Sequence, residues 1–263
     1  MNPPGDSSNV PDRSLVNPPI IEAVLDIDCS MPPDFDVAAL EPHVRSAYSD
    51  RYPVVRPILL QQHLFTPGSG GHPVHEEQTS VQGFQLWQQD EKQLLQVRSQ
   101  GFSFNRLKPY STLAEYLPEI ERAWKTFVSM TLPLQIHVIR MRYINRILLP
   151  TRGDLVNLDD YFAIGPRLPD SDSLIFTGFL DQHSAQERAT GNAVTIILTA
   201  GQPTEDARVP IILDIETSRA VSVQPDDWSS ILEIVESLRR LKNRVFFNSL
   251  TAKCLELFDA SSQ

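Results

Sequence analysis

The chain has 263 residues, 41% of them hydrophobic, so a wholly disordered chain is excluded and a sizeable core can form. Lys and Arg number 23 against 33 Asp and Glu, a formal charge of −10, which argues against a surface built to grip nucleic-acid phosphates. No run approaches the roughly 18 apolar residues of a membrane span.

Residues 1–16 are rich in Pro, Asn, Ser and Asp and read as a flexible lead-in. They lack the basic start and apolar stretch of a secretory signal, so a soluble cytoplasmic protein is expected. After Asn17-Pro18-Pro19, Ile21, Ala23, Leu25 and Ile27 alternate with Glu22, Asp26 and Asp28, which predicts a half-buried strand with an acidic outer face. Residues 34–52 place Val37, Leu40, Val44 and Tyr48 at helical spacing. Asp34 or Asp36 is available there as a cap, and Pro42 kinks the helix or starts its main part.

Strands follow at 54–65, 80–88 and 93–99, the last two joined by a turn around Asp90-Glu91. The Gly- and Pro-rich stretch 66–79 between them reads as a mobile loop. A helix over 112–131 has Thr112 and Glu115 at capping-box spacing and an apolar stripe of Ile120, Trp124, Phe127 and Val128. The second half predicts a long strand at 134–149 and a short helix around 158–161. Strands at 173–181, 193–200 and 209–216 precede a long amphipathic helix from about 227 that restarts near Thr251.

Residues 17–132 and 133–263 thus each read β-α-β-β-β-α. The expected fold class is α+β: antiparallel sheet, as two sheets or one continuous one, backed by helices, with the two halves packed as one unit.

The chemistry rests on strand faces. Arg140, Arg142 and Arg146 share one face of 134–149, while His137, Ile139, Met141, Tyr143, Asn145 and Ile147 share the other. Glu22, Asp26 and Asp28 share a face of the first strand, Asp214 and Glu216 share one on 209–216, and Arg98 and Arg106 flank QGFSFNRL. If these faces meet, Arg98, Arg106, Arg140, Arg142 and Arg146 could grip phosphate or carboxylate groups. Glu22, Asp26, Asp28, Asp214 and Glu216 could then hold Mg²⁺. The plainer alternative is a wet sheet face kept soluble by cross-strand ion pairs.

Other motifs are weaker. His72-x-x-His75 sits in the Gly/Pro loop with nothing rigid to fix a metal geometry. Gly68-Ser69-Gly70-Gly71 lacks the Lys-Ser/Thr of a phosphate loop, and no GxSxG elbow is present. Cys29 and Cys254 sit in apolar surroundings and read as buried reduced thiols.

Six stretches together resemble a sporadically distributed family of bacterial proteins of about 260 residues to which no activity is assigned. They are NPPIIEAV (17–24), FSFNRLKPY (102–110), RMRYINRI (140–147), LDDYF (158–162), LDIE (213–216) and SLTAKCLELF (249–258); Phe247 departs from the family's pattern, where an acidic residue is expected. The resemblance implies one unit from 17 to 258, a bacterial cytosolic setting and genes of the toxin–antitoxin or phage-defence kind, and it carries over no catalytic residue. The expectation is therefore a non-enzymatic binding or regulatory protein engaging a protein partner, with no cofactor. A nucleotide or polyphosphate enzyme or sensor using Mg²⁺ is the alternative, and a chaperone-like scaffold binding extended chains at a sheet edge is the third.

Overall fold

The computed structural model describes residues 15–67, 73–150, 156–170, 173–202, 204 and 208–259, with the backbone alone at 63–67 and 73–76. The lead-in before Leu15, Gly68-Ser69-Gly70-Gly71, His72 and the side chain of His75 therefore lie outside the described residues. The fold is α+β, a nine-stranded antiparallel sheet with helices. In chain order the strands are β1 (Ile20–Ser30), β2 (Val54–Pro67), β3 (Pro73–Trp87), β4 (Gln93–Arg98), β5 (Gly101–Leu107), β6 (Gln135–Pro150), β7 (Leu180–Gln186), β8 (Ala193–Ala200) and β9 (Arg208–Val223). Across the sheet they run β2-β3-β4-β5-β1-β6-β9-β8-β7. The helices are α1 (Glu41–Tyr48), α2 (Leu113–Thr131), α3 (Trp228–Ser249) and α4 (Ala252–Asp259). None of the described helices is long and apolar enough to cross a membrane.

Two compact units divide the chain: Val24–Arg140 with Ala220–Ile234, and Met1–Ala23 with Met141–Arg219 and Val235–Gln263. Their boundaries fall inside β1, β6, β9 and α3 rather than in a linker. In the first unit α2 lays Ile120, Ala123, Trp124 and Phe127 against the sheet, all essentially without exposure. Phe102 of β5 meets Trp124 edge-on, with ring centroids 5.8 Å apart, and Trp124 stacks on Phe127 at 5.3 Å. Each such fully buried aromatic stabilises by about 2–3 kcal/mol. The polar tips find partners, as expected for buried aromatics: the Trp124 Nε1–H donates to Pro225 O at 2.9 Å and the Tyr48 hydroxyl to Ala123 O at 2.9 Å.

In the second unit Ile147, Leu149, Leu198, Ile211, Leu213 and Ile215 pack with Leu241, Phe246, Leu250, Cys254 and Phe258 of α3, α4 and their junction. Thr217 on β9 donates its hydroxyl hydrogen toward Met141 O and Leu238 O, both 3.4 Å away. Local signals hold at several helix ends. Asp36 accepts from Ala38 N at 2.9 Å, Pro42 sits in the first turn of α1, and the 3-10 turn Leu158–Asp160 forms where the short helix is expected.

Four expectations need correction. FSFNRL, given no element of its own by the sequence, is β5, between β4 and β1 and buried on both faces up to Asn105. The loop expected at 66–79 is strand at both ends, because β2 and β3 stay paired from Val54↔Trp87 to Pro67↔Pro73, through a one-residue shift between Ile58↔Gly83 and Leu59↔Val81, despite the turn-like composition. The strand expected at 173–181 begins only at Leu180, where pairing with β8 begins at Leu180↔Thr199; 173–179 are irregular. Thr112 is the N-cap of α2 but its side chain makes no bond to the helix backbone. Glu115 instead accepts from the Ser111 hydroxyl at 2.7 Å, so the capping box does not close.

Candidate functional site on the charged strand face

Along β1 the odd-numbered side chains from Ala23 to Cys29 are buried, while Asp26 and Asp28 stand on the other, half-exposed face. Asp26 and Asp28 meet Arg140 of β6 and Arg98 of β4, all within one unit. Arg140 Nη1 donates to Asp26 Oδ2 at 2.9 Å and Asp28 Oδ2 at 2.6 Å. Arg98 Nη2 donates to Asp26 Oδ1 and, at 3.3 Å, to Asp28 Oδ1. Two carboxylates thus share two guanidiniums in a closed, neutral square.

Arg98 can reach β1 across β5 because β5 starts with Gly101, its partner in the β4–β5 register. Gly101 has φ +148°, and a Cβ there would sit 2.1 Å from Ile27 O. Only glycine tolerates that approach of β5 to β1. On β3, Gly83 also lies too close for a side chain, since a Cβ would be 2.4 Å from Val97 O.

Electrostatics follow the packing. Burial pushes the Asp26 carboxyl up, Arg98 pulls it down, Asp28 pushes it up again and Arg140 pulls it down, with a net rise. In the other unit, Arg142 Nε lies 3.0 Å from each Asp214 oxygen and Nη2 donates to Oδ2 at 2.6 Å, a bidentate pair. That hydrogen bonding, against burial and with the added charges of Asp214, Glu216 and Glu22, raises the Arg142 guanidinium further above its ordinary value.

Six of the ten expected site residues are thus brought into two ion-pair clusters, Asp26, Asp28, Arg98 and Arg140 in one and Arg142 with Asp214 in the other, while Arg106, Arg146, Glu22 and Glu216 stand outside both. Arg98, Arg140 and Arg142 have carboxylate partners; Arg106 turns to Pro109 O at 3.2 Å and lies over the Tyr116 ring at 5.2 Å; Arg146 is exposed. Among the described residues no three His, Cys, Asp or Glu side chains converge as a metal site, and Asp26, Asp28 and Asp214 accept from arginines. His137 departs from the face it shares with Ile139 by spacing, because the alternation of burial slips between Ile136 and Ile139. It is exposed and its Nε2 meets Ser30 Oγ. Both cysteines are buried thiols pushed up to about 12, Cys29 by burial and then by Asp28, Cys254 by burial alone, which leaves little nucleophilic thiolate.

No protein-family model and no curated protein matches the chain.

Sequence reasoning missed Lys242. It is buried within α3, its Nζ 3.9 Å from the centre of the Tyr143 ring, and makes no ion pair among the described residues. Burial, with Arg239 adding repulsion, pulls its ammonium down to about 7. A usable signal exists: Ile231, Val235, Leu238, Lys242 and Val245 follow a four-three-four-three spacing, so Lys242 occupies a stripe position of the helix. At under a tenth exposed, the amine is positioned to pack on Tyr143 rather than to meet a dissolved substrate.

Proposed function

We propose that the protein is a non-enzymatic binding module that engages a protein partner, and that the β2–β3 ribbon is the part that does so. The observation carrying this is the ribbon's length. β3 pairs with β4 only from Gly83 to Trp87, yet β2 and β3 continue through nine further pairs, Leu59↔Val81 to Pro67↔Pro73. At about 3.4 Å per residue those nine pairs extend about 27 Å as two strands with no third among the described residues. A lone two-stranded ribbon is marginally stable in water and carries unpaired backbone groups along both edges. This one also exposes Leu59 and Leu60, successive residues that face opposite sides.

The partner chemistry this suits is an extended segment of another protein, adding a strand to the ribbon edge and covering its leucines. The net charge of −10 favours a partner of basic surface. The resemblance to a family of toxin–antitoxin or phage-defence character supports a partner encoded in the same locus. The polyphosphate reading draws less support, since Arg98, Arg140 and Arg142 are already matched to carboxylates.

The test is native mass spectrometry of the tagged chain from its own host, followed by reconstitution with the purified companion. A stoichiometric companion is expected, lost on Leu59→Asp/Leu60→Asp and retained on Leu134→Asp, an exposed leucine away from the ribbon. No stoichiometric companion, or one held equally by the ribbon variant, removes this reading.

A further inference from the structure

The strand at the other end of the sheet, β7, has the sequence LDQHSAQ, and every residue but Asp181 is exposed. Glu187 N donates to Asn192 O at 2.8 Å, and from Gln186↔Ala193 to Leu180↔Thr199 the β7–β8 register has no slip. In an antiparallel ladder hydrogen-bonded and non-hydrogen-bonded pairs alternate. Asp181, His183 and Ala185 therefore turn their backbone groups toward β8, while Leu180, Gln182, Ser184 and Gln186 turn theirs outward. Among the described residues no backbone hydrogen bond reaches that outer row.

We propose that this edge binds a second copy of the chain, β7 pairing antiparallel with the partner's β7 about a two-fold axis at Gln182. The axis is chosen by charge. Asp181 and His183 share one face of β7 and touch, His183 Nε2 lying 2.9 Å from Asp181 Oδ2. Centred on Asp181, the pairing sets carboxylate against carboxylate, and centred on His183 it sets imidazole against imidazole. Centred on Gln182, each Asp181 faces the partner's His183, twice over by symmetry. That pair falls at a non-hydrogen-bonded position of the new ladder, where facing side chains come closest. The outward groups of Leu180, Gln182 and Ser184 all find partners in the same register. Leu180, 71% exposed in the single chain, gains cover opposite the partner's Ser184. The residues just before β7 add exposed apolar surface at Leu174, Ile175 and Phe176.

Five residues per strand make a small interface, so the dimer is expected at about micromolar affinity and is sought from about 1 to about 200 µM by sedimentation equilibrium of the full chain. The wild type is expected to approach a dimer across that range. Gln182→Pro, which removes an outward N–H and none of those directed at β8, is expected to stay monomeric with an unchanged circular dichroism spectrum. His183→Asp, which sets carboxylate opposite carboxylate, and Asp181→Lys, which takes the carboxylate partner away from the imidazole, should each weaken the dimer about tenfold. The double variant Asp181→Lys/His183→Asp restores opposite charges and should recover it. The charge series decides even if Gln182→Pro does not fold. A wild type that stays monomeric, a dimer that survives Gln182→Pro, or a double variant no tighter than the single ones would overturn the proposal.

Discussion

Lys242 occupies a place that the apolar stripe of α3 would give to an aliphatic residue, and the cost of that choice has a definite pH signature. Its ammonium is pulled to about 7 in the folded chain, against about 10.4 for a free lysine. Between those values the unfolded chain binds more protons, so stability rises as pH rises from 7 toward 10; below 7 the penalty is fully present. Lys242→Met keeps an unbranched side chain on the Tyr143 ring without the charge. The variant should be the more stable by about 1–3 kcal/mol at pH 7, with the difference shrinking by pH 10 in paired urea titrations. A difference constant with pH would mean that the amine is solvated. Gly101 gives a second test at the scale of one atom. Gly101→Ala should cost at least about 2 kcal/mol, from the left-handed φ and the clash with Ile27 O together. Thermal unfolding reads this directly.

Between elements, β1, β4 and β6 are tied by the square of Asp26, Asp28, Arg98 and Arg140. Removing one guanidinium leaves two neighbouring carboxylates with a single partner. Arg140→Met should therefore destabilise by about 2 kcal/mol at pH 7, held below the value for a deeply buried pair by the square's partial exposure. The pH dependence follows from Asp26, whose carboxyl is raised in the folded chain. A raised acid contributes stability that is present below its unfolded value and lost as pH rises through the folded one. Loss of Arg140 raises it further, so the gap between wild type and variant should widen from pH 4 to pH 7 in denaturant titrations. A gap that narrows would show the square contributing nothing as an ionic cluster. The sequence displayed the members of this square, since the two-residue period put Asp26 with Asp28 and Arg140 with Arg142 on common faces. It could not display the pairing, because the strand order β4-β5-β1-β6 depends on a β5 disguised by its leading glycine and its short F-S-F-N alternation. Lys242 escaped notice for the opposite reason: Leu241 beside it satisfies the helical stripe almost as well, so the lysine could be assigned to water. The register of β2 with β3 was illegible at 66–79 because Gly and Pro signal turns locally, while a ladder already begun on one side carries Pro67 and Pro73 as strand.

Across the whole molecule, protection from solvent should follow the number of neighbours each strand has. β1, β6 and β9 lie inside the sheet order with one face buried, whereas among the described residues β2 and β3 beyond Gly83 have only each other. Local opening free energies in a protein run from near zero to the global value, and a two-stranded ribbon belongs at the low end. In hydrogen exchange by mass spectrometry of the isolated chain, peptides from 59–62 and 77–82 should exchange at least about a hundredfold faster than those from 83–87 and 93–98. The comparison is internal to one molecule, so temperature and pH cancel, and within β3 the contrast of 77–82 with 83–87 isolates the effect of the missing third strand. Binding of an extended partner segment along the ribbon supplies that strand. Protection should then rise in 77–82 or 59–62, depending on which edge is used, and leave 83–87 as it was. Ribbon amides already as slow as those of 83–87 in the isolated chain would mean that the ribbon needs no partner, and the case for it as a binding arm would fail.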